Sequence, residues 1–287
     1  MDIYQQCNRQ NRAESVDPNH LAVVTDLTQK SIERLSHYGI AMVLGAGNCQ
    51  DIPLNLLLET FKTVVLVDVD REALDFARSA TLGTLLGEKL ETVVTDLTGI
   101  HNVVKKIKSP IKDEQIHAIM GKIVQPFPPS SPLVEWQGQC DLTLSVDVVS
   151  QLVDPLINTR YHGEFARNPQ TFIPLQDAVT AQHYSQIRSL RSSNGGIGLL
   201  AFELYSSESL AGNPIKMKQY TTLLSKLPDE SADEVLSCFD KNTWTPCRIR
   251  SAQPLRSLLE QEEYGSYWLW SWEFDVSQIY LMMGWLL

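Results

Sequence analysis

The chain has 287 residues, 43% apolar and 20% charged, the balance of a soluble globular protein with chain enough for one large α/β domain or two small ones. Its net charge of −10, with a pI of about 5.1, repels nucleic-acid phosphates and anionic lipid, so neither is an expected partner. Five widely spaced cysteines without a CxxC pair predict neither a disulfide framework nor a metal site.

A polar N-terminus, and an apolar tail at Ile279–Leu287 too short to cross a bilayer, predict a soluble cytoplasmic protein. Residues 17–37 are expected to be helical, with Asp17-Pro18 as the start signal and a partial apolar stripe at Leu21, Val24, Leu27, Ile32 and Leu35. Five short unbroken apolar runs follow: Ile40–Leu44, Thr63–Val67, Leu90–Val94, Leu142–Val146 and Gly198–Phe202. Such runs are typical of parallel strands buried on both faces. Helical patterns fall between them, at Ile52–Phe61, Arg71–Leu82, Ile100–Ile107, Val148–Ile157 and Leu175–Leu190. Residues 108–138, with five prolines, are expected to form a long irregular connection, and residues 206–245 a polar, partly helical excursion. The aromatic runs Tyr264–Phe274 and Ile279–Trp285 read as a hairpin.

The expected fold is α/β: a Rossmann-like, doubly wound, mostly parallel sheet closed by a C-terminal antiparallel hairpin. Residues 1–38 form an N-terminal helical segment or lid, and residues 39–287 the α/β domain.

Three strand ends carry the chemistry. The first strand runs into Gly45-Ala46-Gly47-Asn48-Cys49-Gln50-Asp51, a turn that lets a ligand approach the backbone. A dinucleotide site would place a third glycine where Gln50 stands. Asp68 ends the second strand, 21 residues after Gly47, and can accept hydrogen bonds from both hydroxyls of a ribose; Asp70 suits the cap of the next helix. Asp96-Leu97 follows the third strand, where a carboxylate can meet an adenine amino group or cap a helix near Gly99.

Gly45-x-Gly47, Asp68, Asp96, the strand ending at Asp147 and Asn194-Gly195-Gly196 before the fifth strand resemble the ordered motifs of class I S-adenosylmethionine-dependent methyltransferases. The resemblance spans residues 40–205, and the terminal hairpin resembles that family too. It implies S-adenosylmethionine as cofactor, held by Gly45, Ala46, Gly47, Asn48, Asp51, Asp68, Val69, Asp96, Leu97 and Ser145. Gly45 and Gly47 would flank the methionine moiety, Asp68 bind ribose and Asp96 lie by adenine. Ser145–Asp147 would border the transfer site, and Asp51 would touch the cofactor's amino end or a bridging water. Asp51 also suits the cap of the following helix.

Methyl transfer chiefly needs alignment and exclusion of water, with a general base where the acceptor is an oxygen or amine. Asp147, His183 and His162 are the candidates, with Tyr161 and Glu203 behind them. Asp147 also suits a helix cap, and His183 falls on the apolar face of its helix. Trp268, Trp270 and Trp272 alternate on one strand face, as core packing or as a substrate wall. The expected activity is methyl transfer to a small-molecule acceptor. Another adenosyl-cofactor transferase, a nicotinamide oxidoreductase or a non-catalytic binding protein are the alternatives.

Overall fold

In a computed structural model, the described residues are 17–81, 83, 85–104, 113–123, 125–149, 151–152, 169–207, 245–246, 267–275 and 278–287. Helix α1 (Pro18–Ile32) leads into β1 (Ile40–Leu44), α2 (Leu54–Thr60), β2 (Thr63–Asp68), α3 (Arg71–Ser79), β3 (Leu90–Val94) and α4 (His101–Val104). Then come α5 (Asp113–Met120), β4 (Leu142–Val146), α6 (Pro169–Leu190), β5 (Ile197–Ser207), β6 (Thr245–Pro246), β7 (Tyr267–Asp275) and β8 (Gln278–Leu286).

The strands lie in the order β3-β2-β1-β4-β5-β8-β7, with β6 paired to the far end of β5. The pairs among β1 to β5 are parallel; β8 runs antiparallel to both β5 and β7. The chain winds outward from β1 to β3, then returns to the other side of β1 with β4. That reversal opens a crevice at the C-terminal ends of β1 and β4.

Each strand splits its apolar residues between two cores by its two-residue period. Met42, Leu44, Val65, Val67, Leu200 and Phe202 face one side, where Val179, Ile187 and Leu190 of α6 cover them. Ala41, Val43, Val64, Leu66, Leu142 and Leu144 face the other, under Val24 and Leu27 of α1, Leu57 of α2 and Leu74 of α3. Helix α1 thus packs on the sheet, against β4, β5 and β7. Gly284 on β8 permits this approach, because a Cβ there would sit 2.6 Å from a Leu27 methyl.

The expected strands and hairpin are all present. Residues 108–138 are less irregular than their prolines suggest. Pro110 and Pro126 lie outside α5, where Ile116 and Ile119, one turn apart, bury a face against α6. The fifth strand runs on to Ser207 because its second half pairs with β8. No helix begins at Val148: Val149, Gln151 and Leu152 lie in a turn, and residues 150 and 153–157 lie outside the described ones. No described helix is long and apolar enough to cross a membrane.

Candidate functional site

The crevice holds a cavity of about 870 Å³, its open mouth included, walled by the ends of β1, β2, β3 and β4. Of the residues expected to hold the cofactor, Gly45, Ala46, Gly47, Asn48, Asp51, Asp68, Val69, Asp96 and Leu97 line it, as does Asp147.

The β1 turn is shaped by its neighbours. Gly45 has φ +67°, and a Cβ there would come within 2.4 and 2.7 Å of the two Val148 methyls. Gly45→Ala should therefore cost roughly 2–4 kcal/mol, from left-handed strain plus overlap. Urea unfolding checks it; a change below about 1 kcal/mol would show that Val148 simply moves aside.

Asp68 ties this turn to β2. Its Oδ2 accepts from Gly47 N–H at 2.8 Å and its Oδ1 from Asp70 N–H at 2.8 Å. Burial raises the Asp68 carboxyl above its usual range, against the pull of the backbone N–H groups of Asp70, Gly47 and Val69. Asp70 caps α3, accepting from Glu72 N–H at 3.0 Å. Asp96 lines the cavity and also caps: Oδ1 accepts from Thr98, and Oδ2 from His101 N–H at 2.8 Å. Cys49, with φ +57°, is held as a neutral thiol, pushed to about 12 by burial and then by Asp68 and Asp51.

Asp51 is not a helix cap, contrary to one expectation: Pro53 holds the N-cap position of α2, and no side chain bonds there. Its carboxyl is pushed to about 6, first by burial and then by Asp147 and Asp17, with His20 pulling the other way. A raised carboxyl means the folded chain holds the proton more tightly than the unfolded chain. Stability is therefore lost as pH rises from about 4 to 6, by at most about 3 kcal/mol. Asp51→Asn should be more stable than the wild type at pH 7 and should lack that slope; equal stability at pH 7 would deny that Asp51 is strained.

Asp147 stands at the end of β4 with φ +58°, a backbone that carries its side chain away from any cap and toward α1. Its Oδ2 lies 2.8 Å from Nε2 of His20, which is wholly buried. The Trp270 indole N–H donates to His20 Nδ1 at 3.1 Å, and Trp272 stacks on the imidazole at 4.4 Å. An indole nitrogen only donates, so His20 Nδ1 is the acceptor and Nε2–H donates to Asp147. Burial lowers the imidazole, but the Asp147 hydrogen bond and charge, with Asp51 and Asp17 beyond, outweigh it and raise His20 above 6.5. Asp147 Oδ1, itself buried, has no hydrogen-bond partner among the described residues.

Ser145 and His183 are placed elsewhere. Both are fully buried on the α6 side of the sheet, and neither lines the cavity. Gln186 donates its amide to the Leu97 carbonyl at 2.7 Å, so its Oε1 faces His183 Nδ1, at 3.3 Å. His183 Nε2 then accepts from the Ser145 hydroxyl at 2.7 Å. Burial pushes His183 down to about 4, against the Gln186 bond. This chain braces the wall at Leu97 from behind. Glu203 is buried in β5, and Trp270 and Trp272 enclose His20 rather than a ligand. Tyr161 and His162 lie outside the described residues. The sequence reading missed His20. Its one local signal is its place on the stripe of Val24, Leu27 and Ser31, which marks burial and nothing more.

No family model and no curated protein sequence matches the chain. Among solved structures it is similar to an S-adenosylmethionine-dependent methyltransferase from Leishmania major, at 13% identity over 99% of this chain and 83% of that one, with a TM-score of 0.46. It is similar also to one from Aquifex aeolicus, at 11% identity over 99% and 98%, with a TM-score of 0.40. A third is the O-methyltransferase from Bacillus cereus in complex with S-adenosylhomocysteine, at 11% identity over 99% and 88%, with a TM-score of 0.37. At such identities function has to be read from the site. By the order and direction of its own strands, the chain has a Rossmann-like fold, a doubly wound and mostly parallel sheet closed by a C-terminal antiparallel hairpin.

Proposed function

We propose that the cavity binds S-adenosylmethionine and that the chain transfers its methyl group to a small-molecule acceptor in the cytoplasm. One observation carries this reading: Asp68 and the Gly45–Gly47 turn are bonded into a single unit at the switch point of the sheet. The other walls fit the same ligand. Asp68 retains lone pairs for a ribose diol, and Val69 and Leu97 offer apolar contact for a purine. Gly45 leaves its backbone bare for the ligand's tail. Four aspartates line the cavity, and no Lys, Arg or His is among its described lining residues. That field favours a cationic sulfonium and opposes the pyrophosphate of a dinucleotide. Gln50 in place of a third glycine points the same way.

When bound, the cofactor supplies an electrophilic methyl group on sulfur. The chain's own part is alignment and exclusion of water. Asp147 is the lining residue suited to take a proton from an acceptor, through Oδ1, with Oδ2 anchored on His20. Of the candidates among the described residues, His183 is locked behind the sheet, which leaves Asp147 as the base in this reading.

Thermal-shift titration tests it. S-adenosylmethionine and S-adenosylhomocysteine should each raise the melting temperature, by about 2.7 kcal/mol of stabilisation at a hundredfold excess over Kd, whereas NAD should not. A shift with NAD and none with either adenosyl compound overturns the proposal.

A further inference from the structure

The four lining aspartates differ in what already binds them. At one end of the cavity, Asp68 is engaged by Gly47 and Asp70, and Asp96 by Thr98 and His101. At the other end, Asp147 keeps an unpartnered, buried Oδ1, and Asp51 lies close enough for the two carboxylates to repel each other. A buried carboxylate oxygen without a donor is costly unless a ligand completes it. His20 does not neutralise Asp147 while its Nδ1 is bare, and Trp270 opposes protonation by aiming its N–H at that nitrogen. The result is a buried anion fixed in position in the cavity wall.

We propose that Asp147 is a donor-selecting residue: its charge favours the sulfonium of S-adenosylmethionine over the neutral thioether of S-adenosylhomocysteine. His20 and Trp270 are its positioning residues. The inference rests on the adenosyl reading of the cavity. With adenosine at the Asp68–Asp96 end, the ligand's charged centre extends toward β4, where Asp147 and Asp51 stand. The preference aids turnover, because the carboxylate holds the charged donor and loosens its grip once the charge has left.

Calorimetric titration with both compounds tests the idea as a ratio. Both carry the same amino-acid end, so contacts to that end cancel. At pH 8 the wild type should prefer S-adenosylmethionine about tenfold more strongly than Asp147→Asn does. In the wild type the preference should fall between pH 8 and 5.5. Falling pH puts a proton on Asp51, which faces His20 of α1, the α1 cap Asp17 and Asp147 after β4, and favours the charged form of His20, whose imidazole is raised above its ordinary value. This arm needs no variant to fold. Trp270→Phe leaves the lining untouched and should move the midpoint of that fall to higher pH, which a purely structural tryptophan would not do. 5′-Methylthioadenosine, which lacks the amino acid, is the control. If Asp147→Asn lowers only the preference for S-adenosylhomocysteine over methylthioadenosine, the carboxylate holds the amino end and the proposal falls. It falls too if the ratio is indifferent both to the substitution and to pH. Failure of the wild type to bind any of the three compounds overturns the adenosyl reading itself.

Discussion

Asp68→Ala is expected to weaken binding of S-adenosylhomocysteine about 100-fold or more, the largest effect of any single substitution in the cavity lining. Two hydrogen bonds from ribose hydroxyls to a carboxylate contribute about 1.5–3 kcal/mol each, and both end on this side chain. The loss reaches further, because Asp68 also holds Gly47 N–H and Asp70 N–H. Without it the β1 turn loses its tether to β2. The two amides are part-buried or buried, so the protein should lose about 1–3 kcal/mol of stability as well. Asp68→Asn separates the roles. Its amide oxygen can still accept from one amide, so most of the fold's stability should return while ribose binding stays weak. Titration calorimetry and urea unfolding on both variants give the two numbers. Undiminished affinity in Asp68→Ala would refute its ribose role, and with it the cofactor assignment of the β2 end.

Asp68 was legible because its signal is local: an acid at a strand end, at a set distance from a glycine turn. The inner strands were legible for a similar reason, since β1, β2 and β4 are buried on both faces and mostly apolar, whereas the edge strand β3 exposes Glu91 and Val94. What failed was anything depending on a partner far along the chain. His20 meets Asp147 across 127 residues and Trp270 across 250, and nothing in its neighbourhood marks it. Ser145 sits one residue from a lining residue, yet the two-residue period of β4 turns it to the α6 side, where His183 takes its hydroxyl. Alternation already contained that answer: on a strand whose Leu144 and Val146 face α1, Ser145 must face away. In α5 the error was of another kind, with prolines that bound a helix read as prolines that forbid one.

These cases together describe a cavity braced from both faces of the sheet. On one face, Ser145, His183 and Gln186 hold the Leu97 carbonyl; on the other, Trp270 and His20 hold Asp147. Both chains end at walls of the cavity and neither is solvated. Rigid support of this sort fixes a polar group at the geometry its ligand needs. It also explains why the N-terminal helix and the C-terminal hairpin, the parts furthest apart in sequence, meet behind β4.

His20→Ala should cost roughly 3–5 kcal/mol, the range for removing one partner of a buried ion pair. The substitution leaves Asp147 without its anchor, orphans the Trp270 N–H and opens a gap beside the Trp272 ring. The pH dependence identifies the cause. Because Asp147 raises His20 above its ordinary 6.5, the charged form adds stability that is complete below that value and is lost as pH rises through the raised one. The difference between wild type and variant should therefore be larger at pH 6.5 than at pH 9. It should not vanish at pH 9, since the neutral tautomer keeps both hydrogen bonds. Urea unfolding over pH 6.5–9, with Asp51→Asn in both proteins, keeps the titration of Asp51 near 6 out of the comparison. A difference that grows with pH would mean that burial, not Asp147, governs the imidazole. A difference below about 1 kcal/mol throughout would mean that α1 docks through Val24 and Leu27 alone, with the histidine incidental to it.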